Sequence, residues 1–329
     1  MKKREYAFDI LRVIAMIMVI IVHVSNIYSR SFGIISNSSF FISLVFNTIS
    51  RVSVPIFFMI SGALLLDREF DLKKYIKRIS KFIILIVIWD SIYLLWEYFF
   101  LGTTYTELYK LLFNPYRAHL WFLYTILVIY ILQPIIRYIL YKASENFKFV
   151  LLCIWLTIST ISIVNSKFTL ALTILTYIGF FVLGKFIYDF IKKNTFKKYN
   201  LLLIITMVIC FFASISLNYL SSIQYKMFYN LYFAYKTPFI TISSLCLYSL
   251  VIINYQKDLL NKIIIELSGL SLGVYLIHGI FLDITVKYFR YQSINSLIGI
   301  PILTIIIFIL SSISVYIIKH IKLLNMIIE

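Results

Sequence analysis

The sequence predicts an all-α, polytopic membrane protein with about ten transmembrane helices in one bundle. Hydrophobic residues make up 61% of the chain and charged residues 14%, and the mean hydropathy is +0.93. A soluble domain is about 45–50% apolar and about 25% charged, so the apolar excess requires a bilayer as solvent. No strand-like alternation indicates a barrel, so the backbone polar groups are expected to be satisfied within helices.

Ten apolar stretches account for the predicted spans, each near the roughly 20 residues that cross a bilayer core. The fifth stretch is short, and the second is long and contains Pro55, which predicts a tilt or a kink. No Pro/Gly/Ser linker or internal repeat interrupts the series, so 1–329 is treated as a single domain. The stretches are 8–28, 40–66, 80–101, 119–140, 148–164, 169–191, 200–220, 235–254, 268–289 and 296–320.

The distribution of positive charge predicts the orientation. Most of the 31 Lys and Arg residues lie at the two termini and in alternate connections, namely 67–81, 141–148, 185–198 and 257–262. Cytoplasmic loops carry such an excess, so both termini are predicted to be cytoplasmic, which an even number of spans allows. The net charge of +17 does not indicate a nucleic-acid partner, because these cations form short clusters between apolar runs rather than one basic face.

Two features of the sequence argue against processing and metal chemistry. The run after Met1-Lys2-Lys3-Arg4 imitates a signal peptide, but it lacks a small-residue cleavage site, so we expect it to be retained as the first helix. The three cysteines lie inside apolar runs without CxxC spacing. They predict neither a disulfide framework nor a thiolate metal site, and no metal ligand set is expected.

Ionisable residues inside the apolar stretches are the first candidates for function, because each costs about 2.5–3.5 kcal/mol on insertion scales. The first stretch contains Asp9, Arg12 and His23. Arg12 and His23 are about three helical turns apart and share one face, with Asp9 close to it. A histidine there suits a general base. The alternative is a structural histidine that is hydrogen-bonded to a neighbouring helix.

Three further regions place polar groups in or beside apolar stretches. Arg51 lies in the second stretch and Asp90 in the third, and a structural ion pair between them is one explanation. His119 and Trp121 open the fourth stretch, where an interfacial aromatic belt is also expected. Tyr275 and His278 lie three residues apart in the ninth stretch, which makes them neighbours on one helix face.

A basic segment precedes the third stretch. Its cations are Lys73, Lys74, Lys77, Arg78 and Lys81. Membrane topology and attraction to anionic lipid explain such a cluster. A seat for a phosphate-bearing cofactor is the functional alternative.

In this order, these regions resemble the acyltransferase-3 family of integral membrane acyltransferases over nearly the whole chain. The resemblance implies transfer of an acyl group, usually acetyl from acetyl-CoA, to a hydroxyl of a cell-surface glycan or its lipid-linked precursor. The residues that carry it are Asp9-x-x-Arg12 with His23, Arg51 to Ser61-Gly62, His119-Leu-Trp121-Phe, and Ser271-Leu-Gly273-Val-Tyr275-Leu-Ile-His278.

The resemblance also implies site roles. His23 would be the catalytic histidine, with Arg12 as a partner in the donor site and Asp9 beside them. Arg78 falls in an Arg-x-x-Arg-like pair whose second member is Lys81, and lysine cannot make the planar two-pronged phosphate contact. The expected donor-binding residues are Arg78, Lys81, Lys77 and Arg51, and the expected acceptor-binding residues are His119, Trp121, Tyr275 and His278.

The expected donor is acetyl-CoA or another acyl-CoA, with no permanently bound cofactor. The expected surroundings are the lipid bilayer of a bacterial cytoplasmic membrane, which the chain crosses several times. A transporter or flippase for a glycan or lipid-linked sugar is the main alternative, because buried charges are equally natural there. A structural or sensory membrane protein is a third, although it would not need histidines at membrane depth.

Overall fold

The computed structural model describes residues 5–102, 117–161, 169–193, 196–255, 262–321, 325 and 328, and these residues form helices and turns without a strand. A π-helical turn, Glu97–Leu101, extends α4, and a 3-10 turn, Ala118–Leu120, leads into α5. The helices are α1 Tyr6–Arg30, α2 Asn37–Ser50, α3 Ser53–Leu65, α4 Leu72–Trp96, α5 Trp121–Lys142, α6 Glu145–Ile161, α7 Thr169–Lys193, α8 Asn200–Tyr225, α9 Pro238–Asn254, α10 Lys262–Tyr288 and α11 Ser296–His320.

The all-α, multi-pass architecture is confirmed. In the described part of the chain, nine helical segments are long and apolar enough to cross a membrane, with α2 and α3 counted together. The fifth predicted span, 148–164, corresponds to α6, whose 17 described residues end at Ile161, while 162–164 lie outside the described residues. The count of ten and the cytoplasmic location of the termini stay predictions.

Helix α4 begins eight residues before the predicted start of its span at residue 80. Asp71 caps it, because its side chain accepts a hydrogen bond from the Lys74 backbone N–H at 3.1 Å. This hydrogen bond and the Lys74 ammonium group lower the pKa of Asp71 below its usual value. Most of the basic segment predicted as a connection is therefore the first two turns of a helix.

The long second span breaks where its proline predicts. Pro55 has no N–H to bond the Arg51 carbonyl four residues earlier, and its ring collides with that carbonyl. Accordingly α2 ends at Ser50, Arg51 is its C-cap, and α3 begins at Ser53. The break leaves Arg51 at a helix end inside the bundle.

Successive spans, with α2 and α3 forming one of them, run in opposite directions, so the bundle has two ends. We call the end where α1 begins and α11 finishes the basal face, and the opposite end the apical face. Near the basal face, Ser268 of α10 donates a hydrogen bond to Asp9 of α1 at 2.7 Å. Near the apical face, the hydroxyls of Ser29 and Ser43 join α1 to α2 at 2.8 Å.

Helices α3 and α7 approach closely through glycines. A Cβ at Gly62 would overlap the Phe181 carbonyl, and a Cβ at Gly184 would overlap the backbone of Met59. Small residues of this kind allow membrane helices to pack backbone to backbone. The contact holds α3, and with it Ser61, against the centre of the bundle.

Candidate active site

Three imidazole rings from distant parts of the chain converge in the apical half of the bundle. His23 lies on α1, His119 in the turn before α5, and His278 on α10. The ring centroids are 5.1 Å apart for His23 and His278, 5.1 Å for His119 and His278, and 6.1 Å for His23 and His119. We call these residues the histidine cluster.

Hydrogen bonding determines the proton position on one ring. The Nδ1 of His278 lies 2.6 Å from the Tyr275 carbonyl, which can only accept, so Nδ1 carries the proton and Nε2 of the neutral ring holds a lone pair. Among the described residues, Nε2 of His278 and Nε2 of His119 are buried and have no hydrogen-bond partner. An unsatisfied buried group costs about 1–3 kcal/mol, so such groups need an explanation and often mark a functional site.

His23 differs from the other two in its exposure. His119 and His278 are buried, whereas His23 is half-buried. His23 is therefore the most accessible of the three side chains.

Two tyrosines hold the histidine cluster in place. The sequence predicts Tyr275 as an acceptor-binding residue and does not indicate Tyr93. The Tyr275 hydroxyl donates a short hydrogen bond to the His119 carbonyl. The Tyr93 hydroxyl donates to the Leu276 carbonyl at 2.8 Å, and the Tyr93 ring meets the His119 ring edge-on at 4.9 Å. Tyr93 carried no signal in the sequence, because an aromatic residue in an apolar helix is ordinary there.

An ion-pair group fixes the apical end of this arrangement. Arg117, two residues before His119, pairs with Glu97 at 2.7 Å and also with Asp283. The three residues belong to the ends of α4 and α10 and to the turn before α5. They tie together the elements that carry Tyr93, His119 and His278.

Gly279 provides the space that His119 occupies. A Cβ at this position would lie 2.7 Å from Cε1 of His119 and 2.7 Å from the Tyr93 hydroxyl. The Tyr93 hydroxyl is held by its hydrogen bond to the Leu276 carbonyl, and the His119 backbone carbonyl accepts one from Tyr275. We expect Gly279→Ala to lower the rate of the catalysed reaction about 100-fold, because a displacement near 1 Å can cost that much. The measurement is the initial rate at saturating substrate.

The matched control is Gly269→Ala on the same helix. The nearest atom to a Cβ there is Nζ of Lys319, at 3.9 Å, so its rate should equal that of the unmodified protein. If Gly279→Ala also kept the full rate in a folded protein, the position of His119 would not matter for the reaction.

A cavity of about 250 Å³ leads from the basal half of the bundle towards the histidine cluster. We call it the basal cavity. Arg12 and Arg68 lie at its basal end, whereas Val19 and Tyr275 lie at the other end. Val19 is one helical turn from His23, so the cavity reaches the layer just below the cluster. Its walls include Val54, Phe57, Ser61, Phe122, Ile126, Tyr130 and Ser271.

Asp9 and Arg12, two of the predicted site residues of α1, form an ion pair at this cavity. Asp9 is 1% exposed, and its Oδ1 accepts hydrogen bonds from Arg12 at 3.0 Å and from Ser268 at 2.7 Å. The Arg12 side chain keeps 30% of its surface exposed and lines the cavity. The polar stripe expected on α1 thus faces the bundle at all three positions, with Asp9 holding Arg12 and His23 lying beyond.

A second cavity, of about 290 Å³, is lined by Arg51, Lys236 and Asn230 together with aromatic rings. We call it the apical cavity, since the 226–237 connection between α8 and α9 forms one wall. The guanidinium of Arg51 lies 4.7 Å from the Phe233 ring and 5.5 Å from the Tyr235 ring. Trp121 packs behind this wall, 5.0 Å from Tyr177.

The Arg51–Asp90 ion pair considered from the sequence is wrong. Arg51 donates through Nε to the Asn47 side chain at 2.8 Å, whereas Asp90 accepts a short hydrogen bond from the Tyr124 hydroxyl. The helix break at Arg51 turns its side chain towards the apical cavity, and not towards α4. Arg51, which the sequence predicts as a donor-binding residue, therefore lies apart from the basal cavity that Arg12 and Arg68 line.

The two cavities approach each other from opposite faces. Arg51 lines the apical cavity and Val54, one turn further along the chain, lines the basal cavity. Phe122 lines the basal cavity while the adjacent Trp121 lies behind the apical one. The histidine cluster is at this depth, because His119 lies two residues before Trp121 and its carbonyl accepts a hydrogen bond from Tyr275, a residue of the basal cavity.

Of the predicted basic segment, the structure brings only part to the basal cavity. Arg78 lies 5.6 Å above the ring of Tyr130, a cavity residue, and lines a niche of about 40 Å³ with Arg68 and Lys74. Lys77 is exposed and Lys81 half-buried, and neither lines a described cavity. No group of three or more His, Cys, Asp or Glu in the described ranges has a geometry that could hold a metal ion.

Comparisons with known proteins point to one family. The acyltransferase-3 family model, described as an acyltransferase domain, matches residues 5–319. The chain is 27% identical over 341 aligned residues to a protein of Enterococcus faecalis named as an amino-acid racemase. That alignment covers 94% of this chain but only 46% of the other protein, so the chain spans less than half of that relative. No solved structure matches the chain.

Proposed function

This chain belongs to the acyltransferase-3 family, and we propose that it moves an acetyl group from acetyl-CoA to a hydroxyl of a cell-surface saccharide or its lipid-linked precursor. The observation that carries the proposal is the histidine cluster, with buried and unpartnered ring nitrogens at the depth where two cavities approach each other. Acyl transfer from a thioester to an alcohol needs a base at the point where the two substrates meet.

The basal cavity suits the donor. Arg12 and Arg68 at its basal end can pair with the phosphates of coenzyme A, and Arg78 lies close beside them. The long, thin pantetheine arm would then lie along the apolar walls and bring the thioester towards Tyr275 and the histidine cluster. With the basal face cytoplasmic, as the distribution of Lys and Arg predicts, the cavity opens where acetyl-CoA is made.

We assign the base role to His23 because it is the accessible ring of the cluster. Its ring takes the proton from the acceptor hydroxyl as the oxygen attacks the thioester carbonyl. The carbon–oxygen bond forms, the carbon–sulfur bond breaks, and the proton passes from His23 to the departing thiolate. His119 and His278 border the reacting centre. Nε2 of His278, which holds a lone pair, can accept a hydrogen bond from an acceptor hydroxyl, and Nε2 of His119, in the tautomer that carries its proton there, can donate to the tetrahedral intermediate.

The acceptor would enter from the apical side, where Trp121 backs a wall of tyrosine rings. Aromatic faces with polar tips suit sugars, so His119, Trp121, Tyr275 and His278 remain our proposed acceptor-side residues. Within the family, the sequence resembles the O-acetyltransferase that modifies enterobacterial common antigen, which is a surface glycan. We place the protein in a bacterial cytoplasmic membrane accordingly.

The test is transfer by the purified full chain in lipid vesicles. Acetyl-CoA with a labelled acetyl group is supplied together with lipid-linked saccharides extracted from the source cells, and the saccharides are analysed by mass spectrometry. We expect an acetyl mass on the saccharide and equimolar release of coenzyme A. Movement of unmodified saccharide across the vesicle membrane without acetylation would instead identify a transporter or flippase.

A further inference from the structure

The apical cavity carries positive charge, which the binding of a neutral sugar does not require. Two cations, Arg51 and Lys236, line it, and Asn230 adds an amide. Among the described residues that line the cavity there is no Asp or Glu. A cavity of this composition attracts an anion.

The guanidinium of Arg51 is held in a position where it can bind a further hydrogen-bond acceptor. Its Nε donates to Asn47 at 2.8 Å, which fixes the position of the guanidinium, and two aromatic rings lie against the guanidinium. Within the described residues Arg51 forms no ion pair with a carboxylate. The remaining N–H groups of the guanidinium form a planar fork, which matches the two oxygens of a carboxylate or a phosphate.

The cost of placing Arg51 inside an apolar bundle supports the same conclusion. An arginine within a transmembrane segment costs about 2.5–3.5 kcal/mol on insertion scales, so such residues commonly mark a substrate pathway. Lys236 lies in the connection that forms the opposite wall, half-buried beside Tyr235. The two cations therefore border one space from two separate elements of the fold.

We propose that the apical cavity recognises its acceptor through an anionic group, a carboxylate or a phosphate carried by the saccharide. This inference rests on the proposed function, since it specifies the chemical class of the acceptor. The anion pairs with Arg51 and Lys236, the sugar ring packs against Tyr177 and Tyr235, and the hydroxyl to be acylated faces the histidine cluster.

The experiment compares three probes that differ in charge: methyl glucoside, methyl glucuronide and glucose 1-phosphate. Their affinities for the purified full chain are measured in detergent by saturation-transfer NMR, without any acyl donor. We expect one or both anionic sugars to bind about tenfold or more tightly than the glucoside, as charged hydrogen bonds allow. The preferred probe then tells whether the recognised group is a carboxylate or a phosphate.

The variants Arg51→Gln and Lys236→Gln should each remove most of this preference, measured as the ratio of the affinity for the anionic probe to the affinity for the glucoside. Lys236→Gln keeps the test valid if Arg51→Gln fails to fold. Lys226→Gln is the matched control, because Lys226 is exposed at the end of α8 and does not line the cavity. Equal affinities for all three probes, or a preference that survives both cavity variants, would overturn the inference.

This result is separable from the proposed function. The probe affinities need neither acetyl-CoA nor turnover. An intact preference for anionic sugars in a protein that never transfers acetyl groups would refute the acyltransferase mechanism alone. Conversely, transfer to neutral and anionic saccharides with equal efficiency would refute only the anionic acceptor.

Discussion

Replacing His23 by glutamine should reduce acyl transfer roughly 10²–10⁴-fold, the usual contribution of a general base. Glutamine is similar in size to histidine but cannot take up a proton. The ring of His23 is half-buried and contacts two other imidazoles, so the replacement leaves the helix packing intact. Rates are measured as release of coenzyme A in the presence of the saccharide acceptor, and donor binding is measured separately.

The control for this variant is the remaining histidine of the chain. His320 is exposed at the end of α11, and its Nδ1 lies 2.7 Å from the Tyr316 carbonyl of its own helix. His320→Gln should transfer at the rate of the unmodified protein. We expect acetyl-CoA affinity to stay unchanged in both variants, because the cations and apolar walls that hold the donor belong to the basal cavity, which neither histidine lines. Full transfer by His23→Gln would exclude the base role.

Replacing Arg12 by glutamine should have two effects, a loss of donor affinity of tenfold or more and a loss of stability. The first follows from the missing phosphate partner at the basal end of the cavity. The second follows from Asp9, which is 1% exposed and loses the partner that its carboxylate contacts at 3.0 Å. Removing one member of a buried pair costs about 3 kcal/mol, at the lower end of the usual range.

The double variant Asp9→Asn/Arg12→Gln separates these effects. With both charges removed, no buried carboxylate is left without Arg12, so thermal stability in detergent should return towards that of the unmodified protein. Donor affinity should stay low, since the guanidinium is still missing. Asp9→Asn alone should keep most of the donor affinity. Recovery of donor affinity in the double variant would show that Arg12 acts only on Asp9.

The sequence was sufficient for those features that depend on one helix at a time. Apolar stretch length predicts the spans, and 3.6-residue periodicity predicts that Asp9, Arg12 and His23 share a stripe. Pro55 predicts the break of the second span, and the structure places that break at the residue whose carbonyl the proline cannot bond. Each of these depends on local chain geometry alone.

Features that depend on which helices meet were not predictable from a single sequence. The meeting of His119 with His23 and His278 requires the turn before α5 to lie between α1 and α10, and no residue pattern encodes that neighbourhood. The predicted Arg51–Asp90 ion pair was wrong for the same reason. The order of the helices in the sequence made α4 the expected neighbour of Arg51, whereas Asn47 and the 226–237 connection contact its side chain. Gly279 and Tyr93 are ordinary residues of apolar helices until His119 is placed beside them.

In the proposed reaction a thioester and an alcohol meet at the histidine cluster, and a structure with bound donor tests this meeting point. Electron cryomicroscopy of the full chain with a non-hydrolysable acetyl-CoA analogue would locate both ends of the donor. We expect the phosphates beside Arg12 and Arg68 and the acetyl carbonyl within hydrogen-bonding reach of the cluster, closest to His23. Phosphates away from Arg12 and Arg68, or an acetyl group away from all three imidazoles, would show that the donor does not bind as proposed.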